Sequence, residues 1–283
     1  MKSTVQKPGS ALVLLGHGST VNPDSSAPTR RFADEIRLQG LFAEVVCAFW
    51  KEDPGFRHAL DLVKSPEVYI VPNFISEGYF TRKIIPRELG LTGQITRLPP
   101  APGHPAARTL KYCEPVGNHP RVTELILHRA REIAPGVAPR NTALVIVGHG
   151  TPLDENSRLA VRAQVARIQI AGLYGEVLGM FLEEKPFIAD WQKLTSAPDV
   201  IVVPLFISDG LHSYQDIPLL LGIEPVPKAP SRNAAVFRRD PYNIGGRRLY
   251  YSSAIGADPL FAGIILDQVA QFDTQHPSLS TAA

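Results

Sequence analysis

Two histidines in the second half of the chain each follow a short apolar run that predicts a buried β-strand. His149 stands between two glycines directly after Leu144 to Val147, and His212 follows a second such run by a few residues. Short β-branched runs of this kind are typical of parallel strands covered on both faces. Ligands of open parallel sheets bind beyond the carboxyl ends of the strands, so both imidazoles are expected at one edge. Neutral imidazoles in that position suit a divalent metal ion or a proton.

A carboxylate is predicted at the same edge, where a third apolar run ends in Glu183 and Glu184. Paired glutamates before a proline are also common as solvated residues, and that alternative stays open. Glu184 is favoured over Glu183 because Glu52 stands at its position in an internal repeat. Two imidazoles and a carboxylate with an open position suit cobalt, iron, nickel or zinc. The predicted catalytic and metal-holding residues are His149, Glu184 and His212.

Each histidine has a simpler interpretation. His149 is also placed to cap the helix that follows it, and a lone histidine in a loop such as His212 is more often a surface residue than a ligand. The glycines beside His149 favour function, because they let the chain turn sharply and leave the imidazole uncovered. Asp216, four residues after His212, can hold that ring by a hydrogen bond, as ligating histidines usually require.

The chain contains an internal repeat in which both halves share the fold pattern but only the second half keeps both histidines. Residues 16–90 align with residues 148–222 without a gap, and 26 of the 75 aligned positions are identical, which excludes chance. His17 corresponds to His149, whereas Phe80 stands where the second half has His212. We therefore predict two tandem α/β domains, each with a parallel sheet flanked by helices, over residues 1–138 and 139–283. The first is predicted to carry a degenerate site, and a cleft is expected between the domains.

Three basic residues, Arg82, Lys83 and Arg87, follow the loop that leads to Phe80. Their second-half counterparts are uncharged. One interpretation is a solvated helix face. The other is recognition of carboxylates, for which the planar guanidinium fork of arginine is well suited.

Composition excludes several classes of function. The 283 residues carry 29 basic and 27 acidic side chains, so no global charge favours binding to nucleic acid or to a membrane surface. The two cysteines are too few for a disulfide framework or an iron–sulfur cluster. No apolar run approaches membrane-spanning length and none resembles a secretion signal, so we expect a cytoplasmic protein.

The remaining elements follow from periodicity and turn residues. A short helix is predicted over residues 55–63, an amphipathic helix over 122–133, and a closing helix over 255–272. Residues 135–139 are predicted to link the domains. The insertion at 224–246, rich in proline and arginine, is predicted to be a long loop over the cleft.

The motifs around His149 and His212 resemble those of a known family. Leu-Val-Ile-Val-Gly-His-Gly, then Phe-Leu-Glu, then Val-Pro-Leu-Phe-Ile-Ser-Asp-Gly-Leu-His-Ser-Tyr-Gln-Asp-Ile-Pro are similar to the class II tetrapyrrole chelatases, specifically the sirohydrochlorin chelatases. The resemblance covers most of both halves, and Phe80 departs from it.

The resemblance implies a lyase of the cobalamin or sirohaem pathway that inserts a divalent metal, cobalt ahead of iron, into sirohydrochlorin. In two-domain members, two histidines and a glutamate of the C-terminal half hold the metal, which implies His149, Glu184 and His212 here. The metal is then a substrate, and no organic cofactor is expected. On this basis the polycarboxylate macrocycle meets the first-half residues across the cleft: His17, Phe80, Arg82, Lys83 and Arg87.

Two other functions fit parts of the pattern. A tetrapyrrole or metal carrier on the same scaffold would explain a degenerate first half, but the second half keeps all three groups of the predicted site. A histidine-dependent phosphohydrolase also places its histidine after a strand. Such enzymes have an arginine directly before that histidine, and Gly148 occupies the position here.

Overall fold

The computed structural model describes residues 5–151, 155–223, 234–237 and 241–277. Their strands form two five-stranded sheets, one from each repeat. The first repeat contains β1 (Lys7–Gly16), α1 (Ala27–Leu38), β2 (Phe42–Phe49), β3 (Glu67–Pro72), α2 (Ile85–Leu89), β4 (Ile95–Leu98), β5 (Arg108–Tyr112) and α3 (Val122–Ile133). The second contains β6 (Thr142–Gly148), α4 (Asn156–Ala171), β7 (Glu176–Phe181), α5 (Trp191–Leu194), β8 (Asp199–Pro204), α6 (Ile217–Leu221), β9 (Tyr242–Ile244), β10 (Arg247–Tyr251) and α7 (Phe261–Gln275).

The two sheets have the same topology. The strand orders are β2-β1-β3-β5-β4 and β7-β6-β8-β10-β9. All neighbours are parallel except the edge strands β4 and β9, which pair antiparallel with β5 and β10. The predicted tandem α/β fold is confirmed, and its sheets are mostly parallel rather than wholly so.

The central strands explain why each sheet is covered on both faces. Every residue of β6 is buried, and β1 is buried from Ser10 to Gly16. Side chains alternate between the faces of a strand, so two apolar layers are needed. In β1, Val13 packs towards α2, in one core with Ile85 and Leu89, while Leu14 points to the opposite face and is also fully buried. A strand that is apolar on both faces requires helices on both faces.

The compact units of the structure are not the two sequence repeats. The first unit comprises the described residues of Met1–His119 and Pro259–Ala283, and the second comprises Pro120–Asp258. Helix α7 packs on β3 and α1 of the first unit, with Phe261 stacked on Phe32 at 5.1 Å. Helix α3 packs on β8 and α4 of the second unit. The repeats have thus exchanged their closing helices, whereas the predicted division lies between residues 138 and 139.

Several predicted elements differ in detail from the structure. The helix predicted over residues 55–63 is a 3₁₀ turn at Phe56–His58, and the one predicted from residue 255 begins at Phe261 after a separate 3₁₀ turn. The helix over 122–133 is confirmed with the same bounds. The insertion predicted as a loop ends in β9. Most of that insertion, residues 224–233 and 238–240, lies outside the described residues. Within the described part of the chain, no helix is long and apolar enough to cross a membrane.

Candidate active site

The segment after β8 ends in a π-helical turn, and this turn carries His212. The turn spans His212–Asp216 and continues into α6. π-Helical turns are rare and occur frequently at functional sites. The Tyr251 hydroxyl, which lies on β10, donates to the Ser213 carbonyl at 2.8 Å and so ties the turn to the sheet. Burial raises the pKa of Tyr251 well above its usual value, so the hydroxyl stays protonated as a donor.

The loop before this turn is held by an unusually close backbone contact. A Cβ atom on Gly256 would lie 1.7 Å from the carbonyl oxygen of Ile207, so only glycine fits. The Gly256 N–H also donates to the Phe206 carbonyl at 3.1 Å. The carboxylate of Asp209 in the same loop accepts from the Ala254 N–H at 2.8 Å. These contacts fix the backbone that leads to His212.

Hydrogen bonding determines which nitrogen of His149 is available. His149 Nδ1 lies 2.8 Å from the carbonyl oxygen of Gly150. A carbonyl can only accept, so Nδ1 carries the proton and the neutral ring presents the lone pair of Nε2. Gly150 adopts φ +66°, in the left-handed region that favours glycine, which brings its carbonyl to the ring.

His212 is oriented in the same sense by a carboxylate. Its Nδ1 lies 2.6 Å from Oδ2 of Asp216, as the sequence predicts. The carboxylate accepts a hydrogen bond from the Nδ1–H group, which leaves Nε2 as the acceptor or ligand atom. A carboxylate on the far nitrogen also increases the basicity of a ligating imidazole.

The two imidazoles lie side by side. Their ring centroids are 4.8 Å apart and the planes meet at 81°. The side chains are 39% and 46% exposed, so both rings are accessible from the solvent. The predicted meeting of His149 and His212 at one sheet edge is confirmed.

Glu183 rather than Glu184 is the carboxylate beside this pair. Glu183 Oε1 lies 3.7 Å from His149 Nε2, and its side chain is 52% exposed. Glu184 is 15% exposed and accepts from Arg158 Nη1 at 3.4 Å. Its Cγ would be 2.7 Å from a Cβ on Gly150, so it packs under the histidine turn. The sequence preference for Glu184 thus falls on a residue that packs against the turn, whereas Glu183, paired with Lys51 in the repeat, lies 3.7 Å from His149 Nε2.

The described side chains do not form a complete set of three ligands. No group of three histidine, cysteine or acidic residues among them converges tightly enough to hold an ion. The arrangement is an exposed pair of imidazoles with the carboxylate of Glu183 next to one of them. An incomplete site of this kind leaves coordination positions open to a further ligand.

In the first repeat, the equivalent edge is aromatic. His17 Nδ1 lies 2.8 Å from the Gly18 carbonyl, as in the second repeat. The Phe80 ring meets the His17 ring edge-on and stacks on Phe74, with centroid distances of 5.1 and 5.7 Å. The centroid of the Trp50 ring is 6.0 Å away. Phe80 therefore fills the place of the second imidazole with an aromatic cluster.

The three basic residues of the first repeat are exposed. Arg82 is bonded to Glu77, with Nε donating at 3.1 Å. Arg87 donates from Nε and Nη2 to Oε1 of Glu88 at 3.1 and 2.7 Å. Both guanidinium groups are therefore anchored by acidic neighbours, while Lys83 lies between them on the surface.

Fold and site together define a class of α/β protein with a doubled sheet and a histidine pair at the carboxyl edge of one repeat. The model of the CbiX family matches the chain twice, over residues 11–133 and 143–272. The chain belongs to the CbiX family.

Relatives in this family carry chelatase names. A probable sirohydrochlorin cobaltochelatase of Halobacterium salinarum is 39% identical over 271 residues, which cover 92% of this chain and 90% of the relative. A sirohydrochlorin cobaltochelatase of Methanopyrus kandleri is 30% identical over 138 residues. That match covers 46% of this chain and 95% of the relative, as expected if the smaller protein corresponds to one repeat.

Solved structures share the fold. A multi-domain protein of Deinococcus radiodurans with structural similarity to chelatases superposes with a TM-score of 0.74 and 25% identity, covering 93% of this chain and 55% of that one. SirB from Bacillus subtilis with Fe³⁺ superposes with a TM-score of 0.69 and 19% identity, covering 94% and 97%.

Proposed function

We propose that this protein is a chelatase that inserts a divalent metal ion, cobalt ahead of iron, into sirohydrochlorin. The observation that carries the proposal is the pair His149 and His212, whose rings are 4.8 Å apart and whose Nδ1 atoms are both engaged. Membership of the CbiX family and the 39% identical cobaltochelatase support it. Borderline ions such as Co²⁺ and Fe²⁺ bind well to imidazole nitrogen.

The reaction is an exchange of one metal ion for two protons. The free-base macrocycle carries two pyrrole N–H groups, and the divalent ion replaces both protons as it enters the ring. The enzyme must therefore hold the ion weakly enough to release it and must accept protons on the same side of the ring. Neutral imidazoles meet both needs, because one lone pair binds either a metal or a proton.

Each residue of the second-repeat site has a role in this scheme. His149 and His212 hold the ion through Nε2, and each accepts a pyrrole proton when the ion has left. Glu183 supplies negative charge beside His149 and is the third candidate ligand. Asp216 keeps the His212 ring in place and fixes which of its nitrogens carries the proton. Glu184, with Arg158, supports the turn that carries His149.

The first repeat contributes to substrate binding in this proposal. The aromatic cluster around His17 and Phe80 offers an apolar face for a flat macrocycle. Arg82, Lys83 and Arg87 recognise carboxylates at its rim, since guanidinium forks bind carboxylates with two parallel charged hydrogen bonds. Substitution of these side chains is therefore expected to raise the Michaelis constant more than it lowers turnover.

The test is anaerobic incubation of the purified protein with sirohydrochlorin and Co²⁺, Fe²⁺ or Ni²⁺, followed by absorbance. We expect catalysed insertion with Co²⁺ fastest, above the rate without protein. The variant in which His149 and His212 are both alanine is the control for metal-independent binding of the macrocycle. Binding of sirohydrochlorin without any acceleration of metal insertion would mean that the protein is a carrier instead.

A further inference from the structure

Two arginines of the first unit share one nearly buried carboxylate. Glu88 lies in α2, and its side chain is 8% exposed. Oε1 accepts from Nε and Nη2 of Arg87 at 3.1 and 2.7 Å. Oε2 accepts from Nε and Nη2 of Arg57 at 3.3 and 3.1 Å. The two arginine side chains are 63% and 69% exposed.

This arrangement leaves half of each guanidinium unused. A guanidinium has five N–H donors, and the edge formed by Nε and Nη2 already faces Glu88. The edge that includes Nη1 remains, and it can bind a second carboxylate through two parallel hydrogen bonds. Two positive groups on one carboxylate also carry a net charge of +1. The cluster is therefore complementary to further anionic groups.

The carboxylate at the centre stays ionised. The hydrogen bond from Arg87 lowers the pKa of Glu88, against a smaller opposing effect of burial, and Arg57 lowers it further. Glu88 thus holds both guanidinium groups in fixed orientations at neutral pH. Pre-positioned donors lose less conformational entropy when they bind a ligand.

Comparison of the repeats shows that the fold does not require this cluster. The second repeat has Ala189, Leu219 and Leu220 at the three positions. Helix α6 nevertheless forms with the same length as α2. All three charges are thus absent together in the repeat that has the histidine pair.

The cluster lies at the same sheet edge as His17. Arg57 is in the 3₁₀ turn Phe56–His58 that follows β2. The ring of its neighbour Phe56 lies beside that of Trp50, and Trp50 lies beside Phe80, with centroid distances of 6.1 and 6.0 Å. Gly55, just before this turn, forms a bridge with Phe49 at the end of β2, and Phe49 lies opposite Gly16 of β1. Arg57 therefore lies within a few residues of the sheet edge that carries His17.

We infer that Arg57 and Arg87 form a carboxylate clamp for the polycarboxylate substrate, with Glu88 as its positioning residue. This inference rests on the proposed function and adds Arg57 and Glu88 to the residues that determine substrate recognition. Two neighbouring guanidinium edges favour a ligand with two carboxylates close together over one with a single charge. The clamp acts on binding and not on the metal-insertion step.

The test is equilibrium binding of metal-free sirohydrochlorin, and of its methyl ester, by fluorescence titration. Arg57→Gln and Arg87→Gln should each raise the dissociation constant for the acid roughly tenfold, because each removes charge-assisted hydrogen bonds. Neither should change binding of the ester. Arg97→Gln, on the exposed face of β4, is the matched control, and circular dichroism verifies folding.

The variant Glu88→Gln distinguishes a positioned clamp from nonspecific electrostatic attraction between the basic surface and the acidic substrate. If only net charge matters, removing this negative charge tightens binding of the acid. If Glu88 positions the arginines, the substitution weakens binding severalfold. Unchanged affinity in Arg57→Gln, or tighter binding in Glu88→Gln, would overturn the clamp.

Metal insertion by the wild-type protein is measured in parallel and tests the proposed function separately. Arginine-dependent binding without insertion keeps the clamp and rejects the chelatase. Insertion with unchanged affinity in all three variants rejects the clamp and keeps the chelatase.

Discussion

His149 and His17 make the same hydrogen bond to the following glycine, yet only His149 has a second imidazole beside it. This difference predicts unequal effects of alanine substitution. His149→Ala or His212→Ala would remove a proposed metal ligand and a proposed base together, and loss of a general base alone typically costs about 10²–10⁴-fold in rate. His17→Ala should cost much less, because its site has Phe80 in place of the second ring. Turnover of the three variants, with folding checked by circular dichroism, measures the difference.

The opposite result has a clear meaning. If His17→Ala is inactive while His212→Ala keeps its activity, the reaction takes place in the first repeat. The aromatic cluster around Phe80 would then be part of the reaction site, and the present assignment would be wrong.

The two glutamates after β7 give a second prediction at this scale. Glu183→Gln should lower turnover and leave the melting temperature unchanged, because its carboxylate is exposed and faces His149. Glu184→Gln should keep most activity and lower the stability of the protein by about 1–2 kcal/mol, since it removes the charge on the partner of Arg158. Each variant is the control for the other. The reverse pattern would restore Glu184 as the ligand.

The repeat explains why sequence comparison favoured Glu184 over Glu183. Glu52, the counterpart of Glu184, accepts from the Ser19 N–H and the Ser26 hydroxyl, both at 2.7 Å. It therefore fixes the loop after β1. Identity between the repeats thus marks residues that support the turn, such as Glu52 and Glu184, as well as His17 and His149. His212 and Glu183 differ between the copies, so the repeat supports neither of them. His212 was recognisable from the strand run that precedes it and from Asp216 four residues later.

At the scale of elements, the loop after β8 depends on Gly256. A methyl group there would meet the Ile207 carbonyl oxygen at 1.7 Å, a backbone contact that cannot move aside without moving the loop. Gly256→Ala should destabilise the protein by about 1–3 kcal/mol, the usual range for overpacking. It should also lower metal insertion, because the displaced loop carries His212.

Gly136→Ala is the control for this substitution, since a Cβ at Gly136 meets nothing within 4 Å. Urea unfolding and chelatase turnover of the two variants provide the comparison. Equal stability of Gly256→Ala and the wild type would show that the loop has room to shift.

The edge strands show where sequence patterns stop being informative. The main parallel strands were predictable because long apolar runs need two covering layers. Strands β4 and β9 have only four and three residues, with no run or alternation long enough to detect. Corresponding residues of the two repeats are 132 positions apart at Gly90 and Gly222, 146 apart at Thr96 and Tyr242, and 139 apart at Leu110 and Leu249. The second repeat therefore has 14 extra residues before β9 and seven fewer between β9 and β10. Sequence comparison showed only the net difference, an insertion of seven residues.

A contact from this insertion was also invisible in the sequence. The ring of Phe237 lies near those of Tyr214 and Tyr251, with centroid distances of 5.7 and 5.3 Å. The corresponding pair in the first repeat is Arg82 and Tyr112, which line an open cavity of about 380 Å³. Phe237, from the described part of the insertion, thus packs at a place that borders an open cavity in the first repeat. Only tertiary structure relates a residue of a long insertion to a site so distant in sequence.

At the scale of the whole molecule, polar contacts specify which closing helix joins which sheet. The Tyr69 hydroxyl donates to Asp273 of α7 at 2.7 Å, and Lys7 pairs with the same carboxylate at 2.7 Å. The residue of the first repeat that corresponds to Asp273 is Ala134, and the second sheet has Ile201 in place of Tyr69. The polar residues of the first sheet therefore meet a carboxylate on α7, whereas the second sheet has an apolar residue and α3 is followed by an alanine.

A second pair of positions supports this matching. Gln268 of α7 donates to the Pro115 carbonyl at 2.7 Å. Its counterpart in α3 is Arg129, which is hydrogen-bonded to Glu132 and Ser253 in the second unit. If α3 closed the first sheet instead, Arg129 would be buried where Gln268 fits. Tyr69 and Lys7 would also lose their carboxylate, and buried groups without partners are destabilising.

These contacts lead to a prediction about fragments. A fragment of residues 1–138, divided at the boundary between the repeats, contains α3 but lacks α7. A permuted fragment with residues 259–277 joined by a short glycine-serine linker to residues 5–119 contains the helix that matches its sheet. The ion pair of Lys7 with Asp273 shows that the end of α7 lies near the start of β1, so the linker is short. The permuted fragment should unfold cooperatively in urea, whereas residues 1–138 should unfold at lower urea or without a sharp transition. Asp273→Ala in the permuted fragment should narrow that gap, because it removes the carboxylate that α3 also lacks. Equal transitions for the two fragments would mean that either helix closes the first sheet, and the domain boundary would then lie between residues 138 and 139 after all.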